Sequence, residues 1–277
     1  LNQALPLLRA VEDRGGEAAT LNNIGAVYDS LGEKQTALDY YNQALPLRRA
    51  VEDRGGEATT LNNIGRVYDS LGEKQTALDY LNQALPLSRA VEDRGGEATT
   101  LTNIGRVYSD LGEKQTALDY YNQALPLSRA VGDRRGEART LNNIGLVYSS
   151  LGEKQTALDY YNQALPLYRA VEDRGGEATT LNNIGFVYSD LGEKQTALDY
   201  YNQALPLSRA VEDRGGEATT LNNIGRVYSD LGEKQTALDY LNQALPLSRA
   251  VSDRSQEAYT LTNMASLQRS QGELTEA

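Results

Sequence analysis

Residues 57–90 read EATTLNNIGRVYDSLGEKQTALDYLNQALPLSRA, and the phrase that opens at Leu61 returns at Leu21, Leu101, Leu141, Leu181 and Leu221. A worn version follows from Leu261. The period is 40 residues, with neither insertion nor deletion. An array this regular marks a solenoid, in which each unit buries its apolar face only against its neighbours. The repeat therefore decides the fold, and the positions at which repeats differ carry the evidence about function.

Each unit reads as two helices. In the first, Ala58, Leu61, Ile64, Gly65 and Tyr68 gather on one helical face, and Thr59, Asn62, Asn63, Arg66 and Ser70 occupy the other. The first set, with Ala77 and Ala84, is expected to be buried, and Asn62 and Arg66 to be exposed. Leu71-Gly72 stops this helix, the glycine suiting a left-handed cap position. Ala77, Leu81, Ala84 and Leu85 set the apolar stripe of the second helix. Asp93-Arg94-Gly95-Gly96-Glu97 makes the link onward, with Asp93 as the cap of the next helix and Glu97 in its first turn.

These residues resemble the tetratricopeptide repeat. Where that family has its tryptophan-leucine-glycine-tyrosine core, this chain has Leu61, Ile64, Gly65 and Tyr68; the alanine, aromatic and second alanine of the family's second helix fall on Ala77, Leu81 (a tyrosine at Tyr41, Tyr121, Tyr161 and Tyr201) and Ala84. The family's usual unit is shorter, about 34 residues, and its proline ends the second helix, whereas Pro86 comes earlier. LNNIG with ALPL is similar to the long, kinesin-light-chain-like branch. It is most similar to the arrays that precede caspase-like CHAT peptidase domains in cyanobacterial proteins. The resemblance implies an all-α fold, a right-handed α-solenoid whose first helices line a concave, partner-binding groove.

Composition narrows the function. The net charge is -11 with no basic run, so nucleic acid and anionic membrane are not expected partners. There is no cysteine and no histidine, which removes thiolate chemistry and the commonest general base and metal ligand. Every Asp and Glu recurs on repeat surface, so no enzyme, metal or cofactor is expected within these residues. No apolar run approaches the roughly 20 residues needed to cross a bilayer, and no signal peptide opens the chain. A cytoplasmic protein is the expectation.

One array is expected over residues 1–277: a partial second helix at 1–11, six full hairpins over about 12–251, and a divergent unit at 252–277. Leu1 to Val11 match Leu81 to Val91, and there is no initiator methionine, so a slice of a longer protein is expected. Its two ends would continue the repeat, which predicts weak head-to-tail self-stacking. In the last unit Met264, Ala265 and Gln268 replace the isoleucine, glycine and tyrosine, and Ser255-Gln256 replace Gly-Gly. This is either decay of a final repeat or adaptation to what adjoins it.

Gly65 is expected to let two helices approach closely, and Gly95-Gly96 to loosen the link. Phosphate-loop motifs are absent. All seven prolines stand at the ALPL position. Inside a helix Pro86 would lose one backbone bond and cost about 3 kcal/mol, usually with a kink. A straight helix would also turn Arg48 onto the stripe of Ala37 and Ala44, where an unpaired charge is expensive. Bent or locally unwound second helices are therefore expected.

The repeats disagree most at the residue after the LNNIG glycine: Ala26, Arg66, Arg106, Leu146, Phe186, Arg226. Seven residues earlier they read Ala19, Thr59, Thr99, Arg139, Thr179, Thr219, Tyr259, and a further pair alternates Asp69-Ser70 with Ser109-Asp110. Helical geometry places these positions opposite the core. They either drift freely or tune the groove to a ligand. Leu146 and Phe186 fall on successive repeats, with Arg106, Arg139 and Arg226 around them: an apolar centre rimmed by arginines, suited to an extended segment carrying a large apolar residue near acidic ones. Asn62-Asn63, Asn142-Asn143, Asn182-Asn183, Asn222-Asn223 and the lone Asn103 add amides that can pair with a peptide backbone; asparagines so placed do this in kinesin-light-chain-like repeats. The same asparagines also read as solvated polar residues beside the core. The leading expectation is a scaffold for a protein or peptide segment. A regulatory arm of a larger enzyme, such as a CHAT peptidase, and a spacer without a groove ligand are the alternatives.

Overall fold

A computed structural model describes residues 3–251 and 253–271, the last two in backbone only. They form fourteen α-helices and no strand. A short α1 (Ala4–Ala10) precedes six hairpins: α2 (Arg14–Ser30) with α3 (Lys34–Ala50), α4 (Arg54–Ser70) with α5 (Lys74–Ala90), α6 (Arg94–Asp110) with α7 (Lys114–Ala130), α8 (Arg134–Ser150) with α9 (Lys154–Ala170), α10 (Arg174–Asp190) with α11 (Lys194–Ala210), and α12 (Arg214–Asp230) with α13 (Lys234–Ala250). A lone α14 (Arg254–Gln271) follows. The start of a further second helix, expected toward Ala277, lies outside the described residues. Contacts divide the chain into two units, which meet in sequence at Gly136 and Glu137.

Within each unit a helix packs on its neighbours in sequence, and successive first helices also touch, α2 with α4, α4 with α6, α10 with α12, and α12 with α14. Leu61, Ile64, Ala77 and Ala84 are buried, as the periodicity predicts. Gly65 lies under the second helix: a Cβ there would stand 2.7 Å from Leu81 Cγ, so any side chain would push the hairpin apart. Tyr68 is only partly buried. It stacks on Tyr80 with ring centroids 5.5 Å apart, and the same stack recurs in every hairpin.

The turns follow their capping chemistry. Gly72 takes φ +82°, and the Glu73 N–H donates to the Tyr68 carbonyl at 2.9 Å, closing a Schellman turn. Asp93 Oδ1 accepts from the Gly96 N–H at 2.9 Å and caps α6. The glycine pair, expected to loosen the link, lies inside the first turn of the helix instead. The left-handed residue of that link is Glu92, at φ +56°, with Gly132 in the equivalent place at φ +70°. The second helices run unbroken through their prolines. Arg48 does turn inward, its side chain 15% exposed, and its charge is answered by Asp53 rather than avoided by unwinding. No helix among the described residues is long and apolar enough to cross a membrane.

Candidate functional site

The asparagines were expected to face outward. Asn62 is buried instead, as are Asn22, Asn103, Asn142, Asn222 and Asn223, while Asn63, Asn143, Asn182 and Asn183 are half-buried. The reason is direct contact between successive first helices, which turns this side of each helix into a helix–helix interface. The second amide of one repeat donates to the first amide of the repeat before it: Asn63 to Asn22 at 3.2 Å, Asn103 to Asn62 at 3.0 Å, Asn183 to Asn142 at 3.2 Å and Asn223 to Asn182 at 3.2 Å. The next rung is open: both amide atoms of Asn222, and Nδ2 of Asn263, are buried without a partner.

Asp69, also expected opposite the core, is buried and holds two cations. Lys74 Nζ lies 2.6 Å from its Oδ1 and Arg106 Nη2 lies 2.5 Å from its Oδ2. Asp29 repeats this arrangement with Lys34 and Arg66. Arg66 is exposed, as expected, but it is not free. The variable arginine of one repeat thus answers the aspartate of the repeat before it. Where that aspartate becomes Ser149, the residue one repeat on is Phe186; where it becomes Ser189, Arg226 reaches only Asp190, at 3.8 Å. Nε and Nη2 of Arg226 have no hydrogen-bond partner, and the other oxygen of Asp190 is held by Lys154 at 2.9 Å.

Phe186 and Leu146 come together as expected. They line a cavity of about 520 Å³ in the unit that begins at Glu137, with Tyr259 of α14, Asn182, Asn183 and Asn223 around it and the buried Tyr161 beneath. Phe186 is 36% exposed and Leu146 49% exposed, so both offer apolar surface. The Arg226 guanidinium lies 4.9 Å from the Phe186 ring centroid and Lys154 Nζ lies 5.7 Å from it. Arg139 is exposed on α8. Arg106 belongs to the first unit and is committed to Asp69. Burial pushes the Tyr161 and Tyr201 hydroxyls up, well above the ordinary phenol range, so both are neutral hydrogen-bonding groups at any physiological pH. The contribution of Tyr259 was signalled by its departure from the threonines at that position. The contribution of Lys154 was hidden, because each of the six full hairpins carries a lysine there.

A second cavity, about 220 Å³, adjoins the first through Asn182, Asn183 and Thr219 and runs between α10 and α12 to Ser208 and Gly216. In some other repeats a longer side chain occupies the corresponding space, while Ser88 with Gly96 and Ser128 with Gly136 repeat the small pair. A Cβ on Gly56 would meet the Arg48 guanidinium, one on Gly176 the Tyr168 ring, and in the last unit Gln256 replaces the glycine altogether.

The family model for the tetratricopeptide repeat matches residues 1–50, 44–90, 58–130, 96–170 and 176–250. No curated protein matches the chain in sequence. Among solved structures, the quorum sensor NprR from B. thuringiensis in its apo form is similar with a TM-score of 0.75 at 19% identity, covering 99% of this chain and 77% of that one. A Rap protein complexed with competence and sporulation factor gives 0.69 at 18% identity, covering 93% and 76%. BtubC (BKLC) from P. vanneervenii gives 0.62 at 20% identity, covering 84% and 92%. At these identities the likeness concerns the fold.

Proposed function

Because this chain belongs to the tetratricopeptide repeat family, we propose that it is a binding scaffold that holds an extended protein segment against its first helices. The observation that carries this reading is the cavity shared by Leu146, Phe186 and Tyr259 with an arginine stacked at its side. Apolar surface left open in a concave site is where an anchor side chain gains most from burial, about 1.5–3 kcal/mol for a Leu or Phe. Arg226, short of a hydrogen-bonded acid of its own, favours a carboxylate on the segment beside that anchor. The asparagines hold repeat to repeat, Asn182 and Asn183 among them, and at the cavity the amide atoms of these two that the ladder does not use, Nδ2 of Asn182 and Oδ1 of Asn183, are offered to a backbone. One similar structure, the Rap complex with competence and sporulation factor, has the same fold with a bound factor.

The test is peptide display on the immobilised protein, followed by fluorescence anisotropy of the selected peptides. Enriched sequences carry a bulky apolar residue with Asp or Glu nearby. Phe186→Asp lowers their affinity at least tenfold, and Arg226→Glu lowers it with a weaker salt dependence. Failure of display to enrich any sequence, or equal binding by Phe186→Asp, favours a spacer without a ligand at this face.

A further inference from the structure

We infer that the 220 Å³ cavity between α10 and α12 is a subsite for a side-chain primary amide, so that the bound segment carries a glutamine next to its apolar anchor. The inference rests on the proposed binding face, and its basis is an occupant that the protein itself supplies one repeat further on. Gln256 stands where Gly216 stands in the preceding repeat. Its Nε2 donates to Thr219 Oγ1 and lies 3.4 Å from the Gly215 carbonyl oxygen. A carboxamide therefore already sits between α12 and α14, held by a threonine hydroxyl and a backbone carbonyl.

The same two groups recur one repeat earlier without an occupant. Thr179 and Gly175 correspond to Thr219 and Gly215, and the Thr179 hydroxyl is 3.0 Å from the Gly175 carbonyl, as Thr219 is from Gly215. Gly216 leaves the space open from one side, and Ser208 does so from the other, where Arg48 and Tyr168 fill the corresponding space of their own repeats. Two small residues together leave it open, a pairing that Ser88 with Gly96 and Ser128 with Gly136 share. A carbonyl and a hydroxyl engaged with that carbonyl both present acceptor lone pairs, which suits an N–H donor and repels a carboxylate. The cavity shares Asn182, Asn183 and Thr219 with the apolar one, so a single extended segment can fill both.

The probe is N-acetyl-glutamine N-methylamide titrated into the protein labelled at threonine methyls, with the N-methylamides of N-acetyl-glutamate and N-acetyl-norleucine as comparisons. The expected result is saturable shifts of the Thr179 and Thr219 methyls with the glutamine compound, at least fivefold weaker or absent with the other two. Gly216→Gln installs the internal occupant, and in that variant the shifts disappear while peptides anchored at Phe186 still bind. Phe186→Asp has the opposite pattern, losing the peptides and keeping the amide response. No shift with the glutamine compound, an equal shift with glutamate, or persistence of the shift in a folded Gly216→Gln protein overturns the assignment without touching the apolar site.

Discussion

Arg106 Nη2 stands 2.5 Å from Asp69 Oδ2, on the first helix of the following repeat, with the carboxylate buried and the arginine side chain 42% exposed. This contact explains why the variable positions do not vary independently. Arg66 and Arg106 occur where the preceding repeat supplies a buried acid and Leu146 and Phe186 after serines, whereas Arg226 follows Ser189 and reaches Asp190 at 3.8 Å. Arg106→Ala removes one of two cations from a buried carboxylate. Because the arginine is partly solvated, the cost is about 1–2 kcal/mol rather than the larger loss typical of a fully buried pair. Asp69→Ser together with Arg106→Leu recreates a combination the chain already uses. The double change should cost less than the sum of its parts by about 1 kcal/mol, read from urea melts as a double-mutant cycle.

The asparagine ladder gives a second outcome. Asn103 Nδ2 donates to Asn62 Oδ1 at 3.0 Å, and both side chains are buried. Asn103→Ala leaves that oxygen without a partner and destabilises by about 1–3 kcal/mol. Thr59→Ala, on the exposed side of the same helices, should change stability by less than about 0.5 kcal/mol. Equal effects from the two would remove the ladder from the account of repeat stacking.

Backbone strain at the links is a third. Glu92 holds φ +56° in a left-handed conformation that disfavours a Cβ, whereas Gly132 fills the equivalent place at φ +70°. Glu92→Gly relieves about 1 kcal/mol of strain, partly offset by the freer unfolded chain, and Gly132→Glu introduces it. Thermal melts should therefore move in opposite directions for the two changes.

Alkaline pH is a fourth. Tyr121, Tyr161 and Tyr201 are raised above the ordinary phenol value chiefly by burial. A raised acid binds its proton more tightly when folded, so its stabilising effect is complete below the unfolded value of about 10 and is lost as pH rises beyond it. Lys74 acts in the same direction: burial alone would lower it, but hydrogen bonds to Asp110 and Asp69 raise it overall. Stability should be flat through neutral pH and fall above about pH 10. The absorbance of ionised tyrosine should then appear in two stages, the second coinciding with unfolding.

Much of the fold was legible because its cause is local. Leu61, Ile64 and Ala77 declare the core by spacing, Gly72 and Asp93 declare the caps by chemistry, and Gly65 declares a close approach by having no side chain. What sequence alone misplaced depends on how one repeat meets the next. Asn62 and Asp69 lie on the polar side of their own helix, yet the neighbouring first helix buries them. Arg48 would be costly in isolation and is not, because Asp53 answers it across a turn. At the candidate site Leu146, Phe186 and Tyr259 stood out by differing from their counterparts. Lys154 and Ser208 could not stand out in this way, since their residue types are common at those positions.

The proposed seating of an extended segment in the cavity of Leu146, Phe186 and Tyr259 is open to site-specific photo-crosslinking. Benzoylphenylalanine in place of Tyr259, 43% exposed, is compared with the same group in place of Leu191, 48% exposed on a turn of the same unit. With a display-selected peptide, adducts are expected from position 259, mapped by mass spectrometry to the peptide's bulky apolar residue, and only background from position 191. Adducts of equal yield from both positions, or from position 191 alone, would contradict it.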